Sequence, residues 1–273
     1  MLNMVDRPES TGSAATEELP LPEPVLGLIP RAKAHLGRLL GRNANWRFSG
    51  AYDTYAQAID AARPGQFAGF DNSAMAQNQY PNMSRIMMWD YPILYWLRRL
   101  LPGTNCIIDA GGHVGTKYEA FRDYLDLNST FRWVIFDLPS IVEKGRAYAA
   151  YRDLGSVSFT ASPEELPDSE ILLASGLFQY FEGMPSEFIA RLPTKPKHLL
   201  LNKVATRTSQ TVFTVEQLEG ADVPYMIRNR AKFETDLKTA GYVIRDSWEI
   251  AELSLLHPDF GRSVSVGYYA ELA

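Results

Sequence analysis

The sequence contains one cysteine and only four histidines among its 273 residues. The single cysteine, Cys106, excludes an intramolecular disulfide and a cysteine-rich zinc site, and such scarcity is typical of a chain kept in a reducing compartment. The histidines are scattered and form no His, Asp or Glu set with metal-ligand spacing. We therefore predict no metal site and a cytoplasmic location.

The sequence also lacks an excess of either charge and any long apolar run. Lys and Arg number 27 against 32 Asp and Glu, giving a formal net charge of -5. The basic surface that a nucleic-acid backbone attracts is therefore missing. No apolar stretch approaches the ~20 residues that span a bilayer, and no basic segment followed by an apolar one begins the chain. We expect neither a nucleic-acid partner nor a membrane span.

The first hundred residues predict a tail followed by helices. Residues 1–23 are rich in Pro, Glu, Ser and Thr without periodic apolar positions, which predicts a mobile tail. Residues 24–102 predict a helical N-terminal region, with helices over 50–62 and from Asp90 onward. Its basic, amphipathic segment 24–42 leaves two interpretations open: a weak peripheral contact with an anionic membrane, or a helix packed on the protein body.

From residue 103 onward, short apolar runs alternate with amphipathic segments, which is typical of an α/β fold. We predict a Rossmann-like, seven-stranded and mostly parallel sheet in a domain covering residues 103–273. No helical segment separates the last two strands, so we expect them to form an antiparallel hairpin at one edge. The predicted strands cover residues 106–109, 132–137, 157–160, 171–174, 198–204, 242–250 and 264–270.

Segment 107–116 carries the strongest indication of chemistry. It predicts a strand ending at Asp109, a turn containing Gly111, Gly112 and Gly115, and then a helix. Glycines at such a turn let backbone N–H groups approach a ligand closely, and the helix N-terminus favours negative charge. A nucleotide-like cofactor fits a turn of this kind.

The glycine spacing separates two classes of nucleotide cofactor. A dinucleotide fingerprint reads Gly-x-Gly-x-x-Gly, whereas this turn reads Asp-x-Gly-Gly-x-x-Gly, which argues against NAD and a nicotinamide-dependent oxidoreductase. The turn resembles the first motif of the seven-stranded S-adenosylmethionine-dependent methyltransferases. Asp137 ends the next predicted strand, before Leu138, where a carboxylate can accept hydrogen bonds from ribose hydroxyls. The alternative role for Asp137 is a helix cap.

A wider set of residues extends this resemblance. The set comprises Trp46, Gly50–Tyr52, the pair Gln179–Tyr180, residues 233–242 and Trp248. Across residues 46–270 the chain resembles a largely uncharacterised bacterial methyltransferase family that is often associated with polysaccharide genes. Locally, residues 136–143 resemble the second motif of small-molecule O-methyltransferases. The resemblance implies S-adenosylmethionine as cofactor and a small-molecule or saccharide acceptor, and it allows a homodimer.

The resemblance also implies roles for individual residues at the cofactor. Asp109 and the three glycines of the turn would hold the methionine part, and Asp137 with Leu138 would lie at the ribose. Ser162, after the third predicted strand, would border the adenine. Ser175 and Gly176, after the fourth, would lie beside the sulfonium.

The catalytic position departs from the resemblance, because Gln179 stands where phenolic O-methyltransferases have a histidine base. An amide neither gains nor loses a proton near neutral pH, although it can orient a substrate. Either another residue is the base, or the acceptor is already ionised and needs only positioning. His113, in the cofactor turn, and Tyr180 are the other catalytic candidates. The alternative function is an inactive cofactor-binding or scaffold protein on the same fold.

Two cations follow later in the sequence, near the expected crevice. Lys203 stands close to the end of the fifth predicted strand, and Arg228 precedes a predicted helix. Arg228 would suit an anionic acceptor. For each residue taken singly, we favour a solvated surface charge.

Overall fold

The structure is a computed structural model that describes residues 47–63, 67–68, 84–218 and 221–273. The predicted tail, 1–23, and the basic segment, 24–42, lie outside the described residues. The strands are β1 (Phe48–Tyr52), β2 (Phe67–Ala68), β3 (Cys106–Ala110), β4 (Arg132–Phe136), β5 (Val157–Thr160), β6 (Ile171–Ser175), β7 (His198–Arg207), β8 (Val212–Leu218), β9 (Ala221–Asn229), β10 (Tyr242–His257) and β11 (Gly261–Leu272).

The helices of the described ranges are mostly short. They are α1 (Tyr55–Asp60), α2 (Tyr91–Leu100), α3 (Thr116–Phe121), α4 (Pro139–Arg152), α5 (Pro185–Ile189) and α6 (Arg230–Thr239). None of these helices is long and apolar enough to cross a membrane.

The central sheet has the strand order β5-β4-β3-β6-β7-β11-β10. A strand lies at each of the seven predicted places. β3 to β7 are mutually parallel, and β10 and β11 form the predicted antiparallel hairpin at the edge. The α/β fold with a mostly parallel sheet is therefore confirmed.

Helices cover both faces of this sheet, because its parallel strands are apolar on both sides. In β3, Ile107 packs with the buried residues of α2, α3 and α4, and the next residue, Ile108, packs with those of α5 and α6. Successive side chains of a strand point to opposite faces, so one strand contributes side chains to two core layers. The carboxyl ends of β3, β4, β6 and β7 are left facing one end of the sheet.

The described part of the N-terminal region contains two strands, β1 and β2, that its prediction as mainly helical did not include. β1 is a strand that pairs antiparallel with β8, and α1 begins only after Thr54, whose side chain accepts a hydrogen bond from the Gln57 N–H. That cap explains why the helix begins at Tyr55 rather than at Gly50, which is part of β1. Since β1 pairs with β8, the N-terminal region and the region 103–273 share one sheet.

The predicted count of seven strands is also wrong, because β1, β2, β8 and β9 extend the sheet to 11 strands within the described ranges. β8 and β9 form an antiparallel hairpin between β7 and α6. The last residues of β7 extend beyond the end of β6, and Thr206 and Arg207 pair with β9 instead. The added strands therefore stand beyond the carboxyl ends of the central strands, beside the predicted crevice.

Candidate functional site

A cavity of about 1590 Å³ opens at the carboxyl ends of β3, β4, β6 and β7. One side is formed by the glycine turn after β3 and the segments after β4 and β6. The other side is formed by β1, β9 and the bulged part of β10. The cavity thus joins the predicted cofactor crevice to a wall that the sequence did not predict.

The glycine turn follows β3 directly, and its backbone conformation requires glycine. Gly111 has a φ of 69° and donates its N–H to the Phe136 carbonyl oxygen at 2.9 Å, which fixes the turn to the end of β4. A Cβ at Gly112 would lie 2.7 Å from the Asp109 carboxylate and 2.9 Å from Ile135. The missing side chain at Gly112 therefore allows the turn to close over Asp109.

Asp109 is buried under this turn with one oxygen unsatisfied. Its Oδ2 accepts a hydrogen bond from the Trp133 indole N–H at 2.9 Å, and its Oδ1 has no partner among the described residues. Burial raises the pKa of Asp109 to about 7, while the Trp133 hydrogen bond and the nearby Lys117 oppose that rise. A ligand that donates a hydrogen bond to Oδ1, a cationic one above all, would satisfy this carboxyl.

Asp137 follows β4 directly and lies half-buried at the cavity. Its Oδ2 accepts the backbone N–H of His113 at 2.8 Å, and its Oδ1 accepts that of Leu138 at 2.8 Å. The alternative role of Asp137 as a helix cap is not seen, since Leu138 precedes α4 and no side chain caps that helix. The Asp137 carboxylate instead lines the cavity, with Leu138 beside it.

The segment after β6 brings three more predicted residues to the cavity. Gly176 has a φ of 97° and donates its N–H to the Asn202 carbonyl oxygen on β7. The Ser175 hydroxyl and the Gln179 Oε1 are buried and have no hydrogen-bond partner among the described residues. These unsatisfied groups face the same space as Asp109, so a polar ligand would find several partners there.

Two predicted cofactor residues do not line the cavity. Ser162 borders a neighbouring pocket of about 580 Å³, which shares Ala161 and Pro139 with the main cavity. Gly115 precedes α3 in a left-handed conformation, with Phe159 and Val157 as its nearest neighbours. The geometry gives Gly115 a role in turning the chain into α3 and no contact with the cavity.

His113 and Tyr180 both line the cavity. His113 is buried, with a φ of 57°, and its backbone N–H donates a hydrogen bond to Asp137. The Tyr180 hydroxyl donates to Glu216 Oε2 at 2.7 Å, and burial beside Glu216 raises the pKa of Tyr180 well above its usual range. Tyr180 therefore stays protonated at neutral pH and cannot serve as a base.

The wall opposite the glycine turn carries a buried polar network. Glu216 on β8 is fully buried, bridges the Tyr180 hydroxyl and the Arg47 guanidinium, and has a pKa raised by burial. Tyr225 on β9 packs edge-on against Tyr180, with ring centroids 5.5 Å apart, and against Phe48, with centroids 4.7 Å apart. This wall offers aromatic faces and hydroxyls to a ligand.

The expectation that Lys203 and Arg228 are surface charges is wrong. Lys203 lines the cavity. Arg228 is buried away from it, and its guanidinium donates to the carbonyl oxygens of Phe178, Phe181 and Gly183. Arg228 thus holds the segment after β6 in place through backbone contacts, and no free guanidinium remains for an anionic acceptor.

A buried ion pair beside the cavity was also missed. Lys117, the second residue of α3, donates to Asp90 Oδ2 at 2.7 Å, and both side chains are almost wholly buried. Asp90 also accepts the Met87 N–H, which caps the turn before α2. The two residues are far apart in the sequence, so no local pattern indicates their pairing.

Within the described ranges, no group of three or more His, Cys, Asp or Glu residues could hold a metal ion.

Comparison with known proteins finds a curated relative and solved structures of similar fold. No protein-family model matches the chain. Over 98 residues, or 35% of this chain, the sequence is 37% identical to the O-methyltransferase aoiF of Aspergillus oryzae, and the match spans only 20% of that protein. The crystal structure of OxaC superposes with a TM-score of 0.50 at 14% identity, over 74% of this chain and 52% of OxaC. The second match shows a shared α/β fold.

Proposed function

We propose that this chain is an S-adenosylmethionine-dependent methyltransferase that acts on a hydroxyl or carboxylate oxygen of a small molecule or saccharide. The observation that carries the proposal is the pair of carboxylates, Asp109 and Asp137, held beside one glycine turn at one cavity. An acid at each of two neighbouring strand ends suits a nucleoside with a cationic tail.

The residues present fit the cofactor at its methionine end. The unsatisfied Asp109 Oδ1 would accept a hydrogen bond from the ammonium group, which would also favour the ionised form of this carboxyl. Gly111 and Gly112 line the cavity, so the backbone of the turn lies at the place where the ligand would bind. Ser175 and Gly176 would lie beside the sulfonium.

The ribose would lie at Asp137. The backbone N–H groups of His113 and Leu138 hold its carboxylate at the cavity, where the carboxylate could accept a hydrogen bond from a ribose hydroxyl. Leu138, Ala161 and Pro163 would border the adenine, and Ser162 would act from the neighbouring pocket. These roles follow the polar and apolar character of the two ends of the cavity.

The comparisons support the same activity. The curated relative is an O-methyltransferase. OxaC, which has a similar fold, has been crystallised in complex with SAH and oxaline. The volume of the cavity is larger than a nucleoside with its amino-acid tail needs, which leaves the space along Tyr180 and Tyr225 for an acceptor.

When bound, the cofactor supplies an electrophilic methyl group. The chain contributes orientation: Gln179 would accept a hydrogen bond from the acceptor hydroxyl through its unsatisfied Oε1. Tyr180, kept protonated by burial and by Glu216, would pack against the acceptor. The aromatic side chains of Phe48, Tyr180 and Tyr225 would limit the access of water to the reacting atoms.

The test is calorimetric titration of the full chain with S-adenosylmethionine and S-adenosylhomocysteine, for wild type, Asp137→Ala and Asp126→Ala. Hydrogen bonds to a charged group contribute about 1.5–3 kcal/mol, so Asp137→Ala should weaken binding by about 10- to 150-fold. Asp126 has a fully exposed side chain and serves as the matched control, with unchanged affinity.

The outcomes separate the proposal from its rivals. Saturable binding that Asp137→Ala weakens and Asp126→Ala does not would support the cofactor site. A folded wild-type protein that binds neither compound would refute it. Tight binding with no transfer to any compound in a panel of sugars, phenols and carboxylic acids would favour a cofactor-binding scaffold protein, an alternative that Gln179 in place of a histidine keeps open.

A further inference from the structure

Lys203 is held in an unusual backbone conformation where β7 passes the end of β6. Its φ of 59° lies in the left-handed region, which residues other than glycine rarely adopt. The side-chain amide of the preceding residue, Asn202, makes two hydrogen bonds. It donates to the Trp89 carbonyl oxygen and accepts from the Trp248 indole N–H. Strained residues of this kind persist where the surroundings hold them, and they cluster at functional sites.

The Lys203 side chain points to the part of the cavity where the reaction would take place. Its Nζ would lie 3.1 Å from a Cβ placed on Gly176, and the Gln179 amide nitrogen would lie 3.4 Å from the same point. Gly176 is the residue expected beside the sulfonium, and Gln179 is the residue expected at the acceptor. Lys203 is therefore next to both.

The ammonium group of Lys203 is not used for structure. Within the described part of the chain it has no ion pair or hydrogen bond, whereas the neighbouring Lys117 is paired with Asp90. Lys203 is half-buried. An ammonium that is partly removed from water without a partner costs free energy, and this cost is reduced when the amine is neutral.

The charges around Lys203 favour the neutral amine. Burial and then Lys117 on α3 lower the pKa of Lys203 to about 8, with Arg47 before β1 acting in the same direction. Asp90 before α2 and Asp109 on β3 act against them. A substantial fraction of the amine is therefore neutral at a slightly alkaline pH.

We propose that Lys203 is the general base of this site. The inference rests on the proposed function and resolves which residue replaces the missing histidine. The acceptor hydroxyl gives its proton to the neutral Nζ of Lys203, and its oxygen forms a bond to the methyl carbon. The bond between that carbon and sulfur breaks, and its electron pair stays on sulfur. The methylated oxygen and a protonated Lys203 result, and the proton then passes to solvent.

The other groups at this position are less suited to the task. Tyr180 is protonated and donates to Glu216, and Glu216 itself does not line the cavity. Gln179 has no proton to gain near neutral pH. Lys203 alone among these four combines a free lone pair with a place in the cavity.

The first experiment measures the protonation of Lys203 directly, without an acceptor. The full chain is reductively methylated with ¹³C-formaldehyde, saturated with S-adenosylhomocysteine, and titrated by NMR. Lys203→Arg assigns the signal by removing it, and the exposed Lys232 on α6 is the matched control. We expect Lys203 to titrate at least one pH unit below Lys232. Titration of the two lysines together would overturn the proposal.

The second experiment measures transfer from S-adenosylmethionine to a panel of phenols and methyl glycosides. Wild type and Lys232→Arg should gain about tenfold in kcat per pH unit below pH 8 and level off above it. Lys203→Arg should lose about 100-fold or more in kcat, since general base catalysis contributes about that much, with S-adenosylhomocysteine affinity unchanged. Equal rates and pH profiles in wild type and Lys203→Arg would overturn the proposal. Failure of the proposed function would appear differently, as a wild type that binds no cofactor.

Discussion

Replacing Gly112 by alanine tests whether the glycine turn closes over Asp109 as described. The new Cβ would lie 2.7 Å from Cγ and Oδ2 of Asp109 and 2.9 Å from Ile135 Cδ1, about 1 Å inside the optimal carbon contact distance. No positive φ is required at this position, so the cost is steric. The carboxylate must move, and its hydrogen bond from the buried Trp133 indole would be lost.

The expected loss of stability follows from these two effects. Overpacking a buried site costs about 1–3 kcal/mol, and an unsatisfied buried indole N–H costs about 1–3 kcal/mol more. Together they give about 2–6 kcal/mol, or roughly 4–12 °C in Tm at about 2 °C per kcal/mol for a chain of this size. Because the Asp109 oxygen that faces the cavity also moves, affinity for S-adenosylhomocysteine should fall at least tenfold.

Gly155→Ala is the matched control, because no atom lies within 4 Å of the Cβ that it would add. It should change the free energy of unfolding by less than about 0.5 kcal/mol. Thermal and urea denaturation followed by far-UV circular dichroism, with calorimetry for the ligand, would measure both variants. The reasoning is refuted if Gly112→Ala matches Gly155→Ala in both Tm and affinity.

Two further perturbations test the buried charges. The native pKa of Asp109, about 7, is above its ordinary value, so the folded protein binds more protons than the unfolded chain between about pH 4 and 7. The free energy of unfolding of wild type, relative to that of Asp109→Asn, should therefore fall as pH rises through that window. Urea denaturation at several pH values would measure this difference. A difference that does not change with pH would contradict the raised pKa of Asp109. Arg228→Met should cost about 2–5 kcal/mol by leaving buried carbonyl oxygens unsatisfied, whereas Arg245→Met breaks an exposed ion pair with Glu271 and should cost about 1 kcal/mol or less. Equal losses in the two arginine variants would mean that Arg228 does not hold the segment after β6.

The central sheet was predictable because its strands are buried on both faces. Runs such as 171–174 are continuously apolar, and the helices between them have clear ends. The glycine turn was predictable for a similar reason, since the demands of a backbone that approaches a ligand are local. Asp109 and Asp137 were found because each directly ends an apolar run.

The added strands were missed because their buried faces contain charged residues. Glu216 on β8 and Asp222 on β9 are fully buried, each paired with an arginine from the N-terminal region, Arg47 and Arg63. Pro224 lies within β9 and weakens any strand prediction. The polar positions therefore did not mark a solvent face, and the partners that neutralise them lie more than 150 residues away.

Lys203 was misjudged because its surroundings come from other strands and turns. Its exposure could not be judged without knowing that β7 continues past β6 and that Gly176 leaves space beside it. A lysine near a strand end is an ordinary surface residue in most sequences. A feature such as the left-handed φ of Lys203 has no counterpart in residue type, because lysine carries no preference for it.

The way β7 changes its partner along its length determines which wall of the cavity can be altered separately. Its first half pairs with β6, beside the glycine turn, and its end carries the β8–β9 hairpin, which returns the chain to α6. The two ends of this connection lie side by side at Thr206 and Arg228. A substitution at Leu218 or Tyr225 therefore changes the wall that the hairpin forms, while the pairing of β6 with β7 beside the glycine turn stays in place.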